Sequence, residues 1–174
     1  MTDVVATSKR LSYVLRHHPE SAGLTLDEHG WASVDDLLAA LRLTRAELDD
    51  VVARNDKVRF ALDGSGTRVR ASQGHSVPVD LGYAPAVPPD ELFHGTTERF
   101  LSAILGEGLR PGNRHAVHLS TDRETAERVG ARRGRPVVLR VDAVAMVRDG
   151  AVFTRSANGV WLVDGVPPRY LTSC

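Results

Sequence analysis

Four prolines fall within residues 77–90, VPVDLGYAPAVPPD, a stretch with no apolar periodicity. Proline locks φ and has no N–H to give, so such a segment suits neither a helix interior nor a central strand. It reads as a stiff linker between two lobes, residues 1–84 and 85–174, each needing its own core. The 42% hydrophobic content can supply two cores, and 22 basic against 22 acidic side chains leave no net charge. The first lobe carries 10 basic and 12 acidic groups (−2) and the second 12 and 10 (+2), so charge does not separate them.

In the first lobe, TSKRLSYVLRHH at 7–18 spaces Leu11, Val14 and Leu15 as one helix face, and Pro19 ends the run. Ser33 followed by Asp36, and Thr44 followed by Glu47, are near capping-box patterns that predict helices near 34–42 and 45–54. KVRFALD and TRVRAS then alternate with period two around DGSG, which predicts a β-hairpin. Three helices followed by a hairpin is the element order of a winged helix, an architecture used on nucleic acids. Alternation puts Lys57, Arg59, Arg68 and Arg70 on one hairpin face and Val58, Phe60, Leu62, Val69 and Ala71 on the other. The second set is expected to be core; the first is either a solvated face or one turned toward nucleic acid.

Beyond the linker the pattern predicts a strand at ELFHGT, a helix at 97–107, a strand at AVHLS, a helix at 121–131 and a strand at RPVVLRVD. Short strands follow near AVFT, GVWLV and the C-terminus. Late strands dominate, so this lobe is expected to be α+β with a mostly antiparallel sheet.

Several chemistries are excluded by composition and motif. The single cysteine is Cys174, which leaves no internal disulfide and no basis for a cysteine zinc site or nucleophile. No G-x-x-x-x-G-K-[ST], G-x-G-x-x-G, H-E-x-x-H or G-x-S-x-G pattern occurs. His115 and His118 have an offset that puts them on opposite faces of a strand, with no third ligand in place, so no metal is expected. No apolar run approaches a membrane span and MTDVVATSKR has no hydrophobic signal segment, so a cytoplasmic protein with no membrane partner is expected. Of the 22 basic residues only Lys9 and Lys57 are not arginine. A GC-rich coding sequence gives such a ratio by itself, yet guanidinium is also the better bidentate partner of phosphate, so each arginine is judged by position.

What remains is a set of small polar clusters, LRHHP, RVRASQGHS, FHGTT, RHAVHLS and SANGVWL, which hold six of the seven histidines. Arg16, His17 and His18 are expected in the last turn of the first helix, where they serve the helix dipole or grip a phosphate. His94-Gly95-Thr96 is either a simple strand-to-helix turn or a place where glycine lets a ligand reach the backbone, with histidine and hydroxyl donors for a ribose. In AVHLS, alternation sends Val117 and Leu119 to one side and His118 and Ser120 to the other; if the first pair is core, the second lines the opposite face.

Taken in order, SKRLSYVLRHHP, the D-x-x-GW of DEHGW, RVRASQGHS, FHGT, the run from Gly108 to Ser120 and NGVWL resemble the KptA-type RNA 2′-phosphotransferase family, from Ser8 to Leu171. The resemblance implies a winged-helix RNA-binding lobe and a C-terminal ADP-ribosyltransferase-like lobe that binds NAD+. It implies transfer of an internal RNA 2′-phosphate, of the kind left by ligation in tRNA splicing, to NAD+ as co-substrate. The RNA phosphate would displace nicotinamide and leave a branched RNA-2′-phospho-ADP-ribose. The neighbouring ribose hydroxyl would then attack phosphorus, giving a 2′-OH RNA and ADP-ribose 1″,2″-cyclic phosphate.

Matched motif by motif, the family's Arg-His-Arg-Arg catalytic set falls on Arg16, His17, Arg70 and Arg114. The second step builds negative charge on phosphorus oxygens with no metal to absorb it, which requires fixed arginines. His17 is a candidate for proton transfer or for phosphate binding. For NAD+ the resemblance implicates His94, Gly95 and Thr96, then His118 with Ser120, and finally Val160 in NGVWL, where many protein-modifying relatives have glutamate. An apolar Val160 suits a nucleophile that arrives already ionised. Lys57, Arg59 and Arg68 on the cationic hairpin face are the expected RNA contacts, and a monomer is expected. Two other readings use the same residues: an ADP-ribosyltransferase that stops after the first step and caps terminal phosphates of RNA or DNA, and a non-enzymatic NAD-sensing nucleic-acid-binding protein. The last leaves His17 and Arg114 without a task.

Overall fold

The computed structural model describes residues 3–54, 57–112 and 114–174, and every candidate site residue lies within them. The chain divides into two compact units, the first ending at Gly82 and the second starting at Tyr83. Six α-helices and ten strands occur among the described residues, every strand pair is antiparallel, and the class is α+β.

The first unit opens with α1, Val4–Arg16, whose start is set by Asp3: its side chain accepts from the N–H groups of Val5 and Ala6. The helix ends at Arg16, His17 caps it and His18 lies outside, so the expected place in the last turn holds for Arg16 alone. After a single 3-10 turn at Pro19–Ala22 comes β1, Ala32–Ser33, and then α2, Val34–Leu41, where Ser33 accepts from Asp36 N. α3, Arg45–Ala53, begins on the complete Thr44/Glu47 capping box that its sequence predicts. The hairpin strands are β2, Phe60–Leu62, and β3, Arg68–Ala71, and the sheet order is β1-β3-β2. Leu11, Leu15, Leu37, Leu48, Phe60, Val69 and Ala71 are buried together, which makes one hairpin face core, as alternation predicts.

Val58 departs from that pattern. Its φ is +43° and it is 48% exposed, because the left-handed backbone there breaks the extended run before Phe60. Lys57 and Arg59 therefore precede the paired strand, although Arg59 still accepts a backbone bond from Ser72 at 2.8 Å.

The hairpin turn is held by Asp63. Its carboxylate accepts from the N–H groups of Thr67 and Arg68 at 3.1 and 3.2 Å and pairs with Arg68 Nε at 3.0 Å. The Arg68 hydrogen bond holds the Asp63 carboxyl down at about 2. A carboxyl depressed in the folded state stabilises fully above its unfolded value and loses that contribution as pH falls through the folded one. An NMR titration of the Asp63 side chain is expected to turn over near 2, with the turn loosening between the ordinary value of 3.8 and that point. A midpoint at 3.8 would show that the Arg68 pairing does not persist in solution.

The proline-rich stretch is not a free spacer. Asp80 N donates to Glu28 O at 2.8 Å and His29 Nδ1 to Asp80 O at 2.6 Å, which fastens it to the first unit. A few residues on, Pro85–Ala86 forms β4 and pairs within the second.

The second unit continues with β5, Glu91–Thr97; α4, Glu98–Glu107; β6, Val117–Leu119; α5, Arg123–Ala131; and β7, Pro136–Asp142. It closes with α6, Ala143–Arg148; β8, Phe153–Arg155; β9, Trp161–Val163; and β10, Leu171–Ser173. Two sheets, β10-β7-β5 and β4-β8-β9-β6, are joined by an isolated bridge between Phe93 and Ser120. α6 was not expected; it is too short to show a period, and only the Asp142 cap on Ala145 N marks its start. No helix among the described residues is long and apolar enough to cross a membrane.

Candidate functional site

In the first unit the candidates gather where α1 ends. Residues 72–77 fold over that end, with Ser76 N and Val77 N donating to the Arg16 carbonyl at 2.9 and 3.4 Å. His17 Nδ1 and Ser76 Oγ share a hydrogen bond of 2.8 Å. Gly74 has φ +89°, which a side-chain residue adopts only with strain, and its open side lies 3.7 Å from Arg16 Cζ and Nε. The loop is anchored from the hairpin side by Ser72, whose hydroxyl donates to Val58 O at 2.7 Å, and His75 within it is 2% exposed. In RVRASQGHS, then, the arginines carry the charge and ASQGHS sets the position of Arg16 and His17.

Arg70 leaves β3 beside a turn built by Asp27. Asp27 Oδ1 accepts from the N–H groups of His29 and Trp31, both at 2.9 Å. Trp31 is thereby presented to the hairpin, and Arg70 Cζ sits 4.5 Å from its ring centroid while Nη1 donates to the carbonyls of His29 and Leu81, each at 3.1 Å. Arg68 shares the parity but not the company: it pairs with Asp27 at 3.2 Å and Asp63 at 3.0 Å and lies 5.5 Å over the same ring. Trp31 and Asp27 were visible only as part of DEHGW, with no role attached.

In the second unit, the Phe93–Ser120 bridge, two backbone bonds of 2.8 Å, sets His94 against β6. His94 Nδ1 donates to the His118 carbonyl at 3.2 Å. Burial lowers the His94 pKa, Arg133 pushes the same way and the His118 carbonyl opposes, so the ring is neutral near pH 7. With the proton on Nδ1, Nε2 is an acceptor suited to a hydroxyl. Val117 and Leu119 are 3% and 1% exposed, so His118 and Ser120 stand on the face opposite the core. His118 Nδ1 accepts from Arg114 Nη1 at 3.0 Å, which assigns its proton to Nε2. Burial, then Arg133 and Arg132, lower the Arg114 pKa. This concentration of positive charge suits an anion, and Arg132 and Arg133, which sequence reasoning passed over, were legible only as a charge run.

Gly95 also has a packing task. A Cβ there would lie 1.7 Å from the Ala126 carbonyl, and one on Gly130 would lie 2.6 Å from the Thr96 carbonyl. The two glycines let α5 cross β5 backbone to backbone, and Thr96 is buried at that crossing. Val160 is half-buried in a tight turn, donating to Ser156 Oγ at 3.1 Å and accepting from Ser156 N at 2.8 Å. His115 lies outside β6 and is exposed.

The family model described as RNA 2′-phosphotransferase, Tpt1 / KptA family, matches residues 2–165. The chain belongs to that family. A probable RNA 2′-phosphotransferase of Streptomyces coelicolor is 63% identical over 172 residues, which cover 96% of this chain and 93% of the relative. Proteins of the same description from Agrobacterium fabrum and Pseudomonas aeruginosa are 60% and 54% identical, over 96% and 95% of this chain and 92% and 94% of theirs. Membership in the RNA 2′-phosphotransferase family makes the chain a transferase. Of the four residues expected from the sequence motifs to be catalytic, Arg16, His17 and Arg70 belong to the first unit and Arg114 to the second.

Proposed function

We propose that the protein transfers an internal RNA 2′-phosphate to NAD+. In the first step a phosphate oxygen bonds to the nicotinamide-bearing ribose carbon as the bond to nicotinamide breaks. In the second the adjacent ribose hydroxyl attacks phosphorus, the bond to the RNA 2′-oxygen breaks, and the hydroxyl proton ends on that oxygen. The products are 2′-OH RNA, nicotinamide and ADP-ribose 1″,2″-cyclic phosphate.

The observation that carries this reading is the presence of Arg16, His17, Arg70 and Arg114 in a chain that the family covers over residues 2–165. Three guanidiniums meet the charge on the phosphoryl oxygens, and His17, fixed by Ser76, moves the proton or binds phosphate. The first unit, with three helices and a hairpin, is read as a winged-helix RNA lobe whose contacts include Lys57, Arg59 and Arg68. Part of the Arg68 charge is offset by Asp27 and Asp63, which leaves it less to offer a phosphate than its formal charge suggests. The second unit is read as an ADP-ribosyltransferase-like lobe in which the neutral His94, the Gly95-Thr96 backbone, His118, Ser120 and Val160 surround NAD+.

The test is incubation with NAD+, chelator and an RNA bearing an internal 2′-phosphate. Dephosphorylated RNA supports the reading; an ADP-ribosylated end product, or unchanged RNA, overturns it. His118→Ala is expected to weaken NAD+ binding about tenfold by calorimetry, the effect of losing one good hydrogen bond in a charged site. Unchanged affinity would remove NAD+ from this face.

A further inference from the structure

The reading above leaves the outer face of α1 without a task, although its composition is unusual. Leu11, Val14 and Leu15 are buried, as a core-facing stripe requires, yet Tyr13 on the same helix is 51% exposed. Its ring packs on His18, centroids 4.8 Å apart at 33°, which steadies a side chain that would otherwise swing in solvent. Tyr13 also lines a groove of about 320 Å³ together with Lys9, Arg10, Val14 and Leu41. Arg10 Nη2 donates to the Leu41 carbonyl at 2.8 Å, tying α1 to the end of α2 and fixing the wall. The lining thus holds an apolar floor, an aromatic edge and two cations, with no carboxylate among the lining residues.

We propose that this groove is a nucleotide subsite, in which Tyr13 stacks the base next to the 2′-phosphorylated position and Lys9 meets the phosphate beyond it. The proposal rests on the transfer reading for the identity of the RNA. Lys9, Tyr13 and His17 are four residues apart and all exposed, so they form a row with steps of just over one helical turn, about 6 Å along the axis. A strand whose 2′-phosphate is held at Arg16 and His17 meets Tyr13 and then Lys9 within its next nucleotide. Aromatic stacking beside a cationic edge is how single strands are held without regard to base identity, so the subsite would tolerate any base.

Binding is read by fluorescence anisotropy in the absence of NAD+, using a labelled 2′-phosphorylated trinucleotide and the full chain. Tyr13→Ala is expected to weaken affinity about tenfold, the low part of the range for one stacked base. Tyr13→Phe is expected to restore it, and Lys9→Ala to lower the salt dependence by about one phosphate contact. The gap between wild type and Tyr13→Ala is expected to close when the RNA is cut back to the phosphorylated nucleotide alone. A gap that is the same at every RNA length, or trinucleotide affinity unchanged by Tyr13→Ala, as expected if the groove takes a peptide instead, overturns the subsite. Because turnover is not needed, a wild type that binds through Tyr13 yet transfers no phosphate overturns the reaction and leaves the subsite standing.

Discussion

Arg70→Ala is expected to let RNA-2′-phospho-ADP-ribose build up while finished products appear about 10²–10³ more slowly, the usual cost of removing a fixed donor from developing charge. In the proposed reaction the first step would pass through a cationic ribose, which gains little from another guanidinium. The proposed second step would place extra negative charge on phosphorus oxygens, where Arg70 would have most to offer. Its guanidinium is held in advance by the Trp31 face and by two carbonyls, so little reorganisation is needed when charge appears. The variant would be mixed with NAD+ and 2′-phosphorylated RNA and the RNA species followed by mass spectrometry. Full activity, or a block that leaves only unreacted RNA with both substrates bound, would falsify this role.

A second large effect is expected at Gly95, on stability rather than on catalysis. The added methyl of Gly95→Ala would stand 1.7 Å from the Ala126 carbonyl and 2.8 Å from Gly130 N, both backbone atoms that no rotamer change can move. Either α5 lifts off β5 or the strand shifts, and the expected loss is about 3 kcal/mol or more, at the upper end for overpacked sites. Gly106→Ala is the control, since Gly106 lies in α4 with nothing within 4 Å of an added methyl. Urea unfolding is expected to show the second unit melting early in Gly95→Ala and the control at least as stable as wild type. Equal midpoints for the two variants would mean that the crossing is looser than described.

Local patterns were legible in the sequence wherever a period or a cap decides the outcome. Alternation placed Val69 and Ala71 in one core and Val117 and Leu119 in the other, and Thr44 with Glu47 announced α3. It failed at Val58, because parity assumes an extended backbone and a single positive φ ends that assumption. It also treated Arg68 and Arg70 alike. The difference between them comes from Asp27, 41 positions before Arg68, and from Trp31, and no local pattern reports such distant partners. Gly95 was singled out for a ligand, and its packing against α5 went unseen because the crossing is invisible until the chain is folded. The site residues themselves came from matched motifs, and the structure adds what holds each one.

The hydrogen bond from Arg70 to Leu81 changes what the length of the connecting segment means. Loops usually accept insertions cheaply, each doubling of length costing about 0.6 kcal/mol. Here the chain leaves Arg70, is stitched to Arg16 at Ser76, and returns at Leu81 to the side chain it started from, 11 residues later. That closed circuit works as a ruler: one residue more or less between Ser76 and Leu81 shifts the carbonyl that Arg70 leans on or the grip on the end of α1. Tolerance to insertion should therefore begin only past Gly82, and a first unit grafted onto another partner must carry its own exit segment with it.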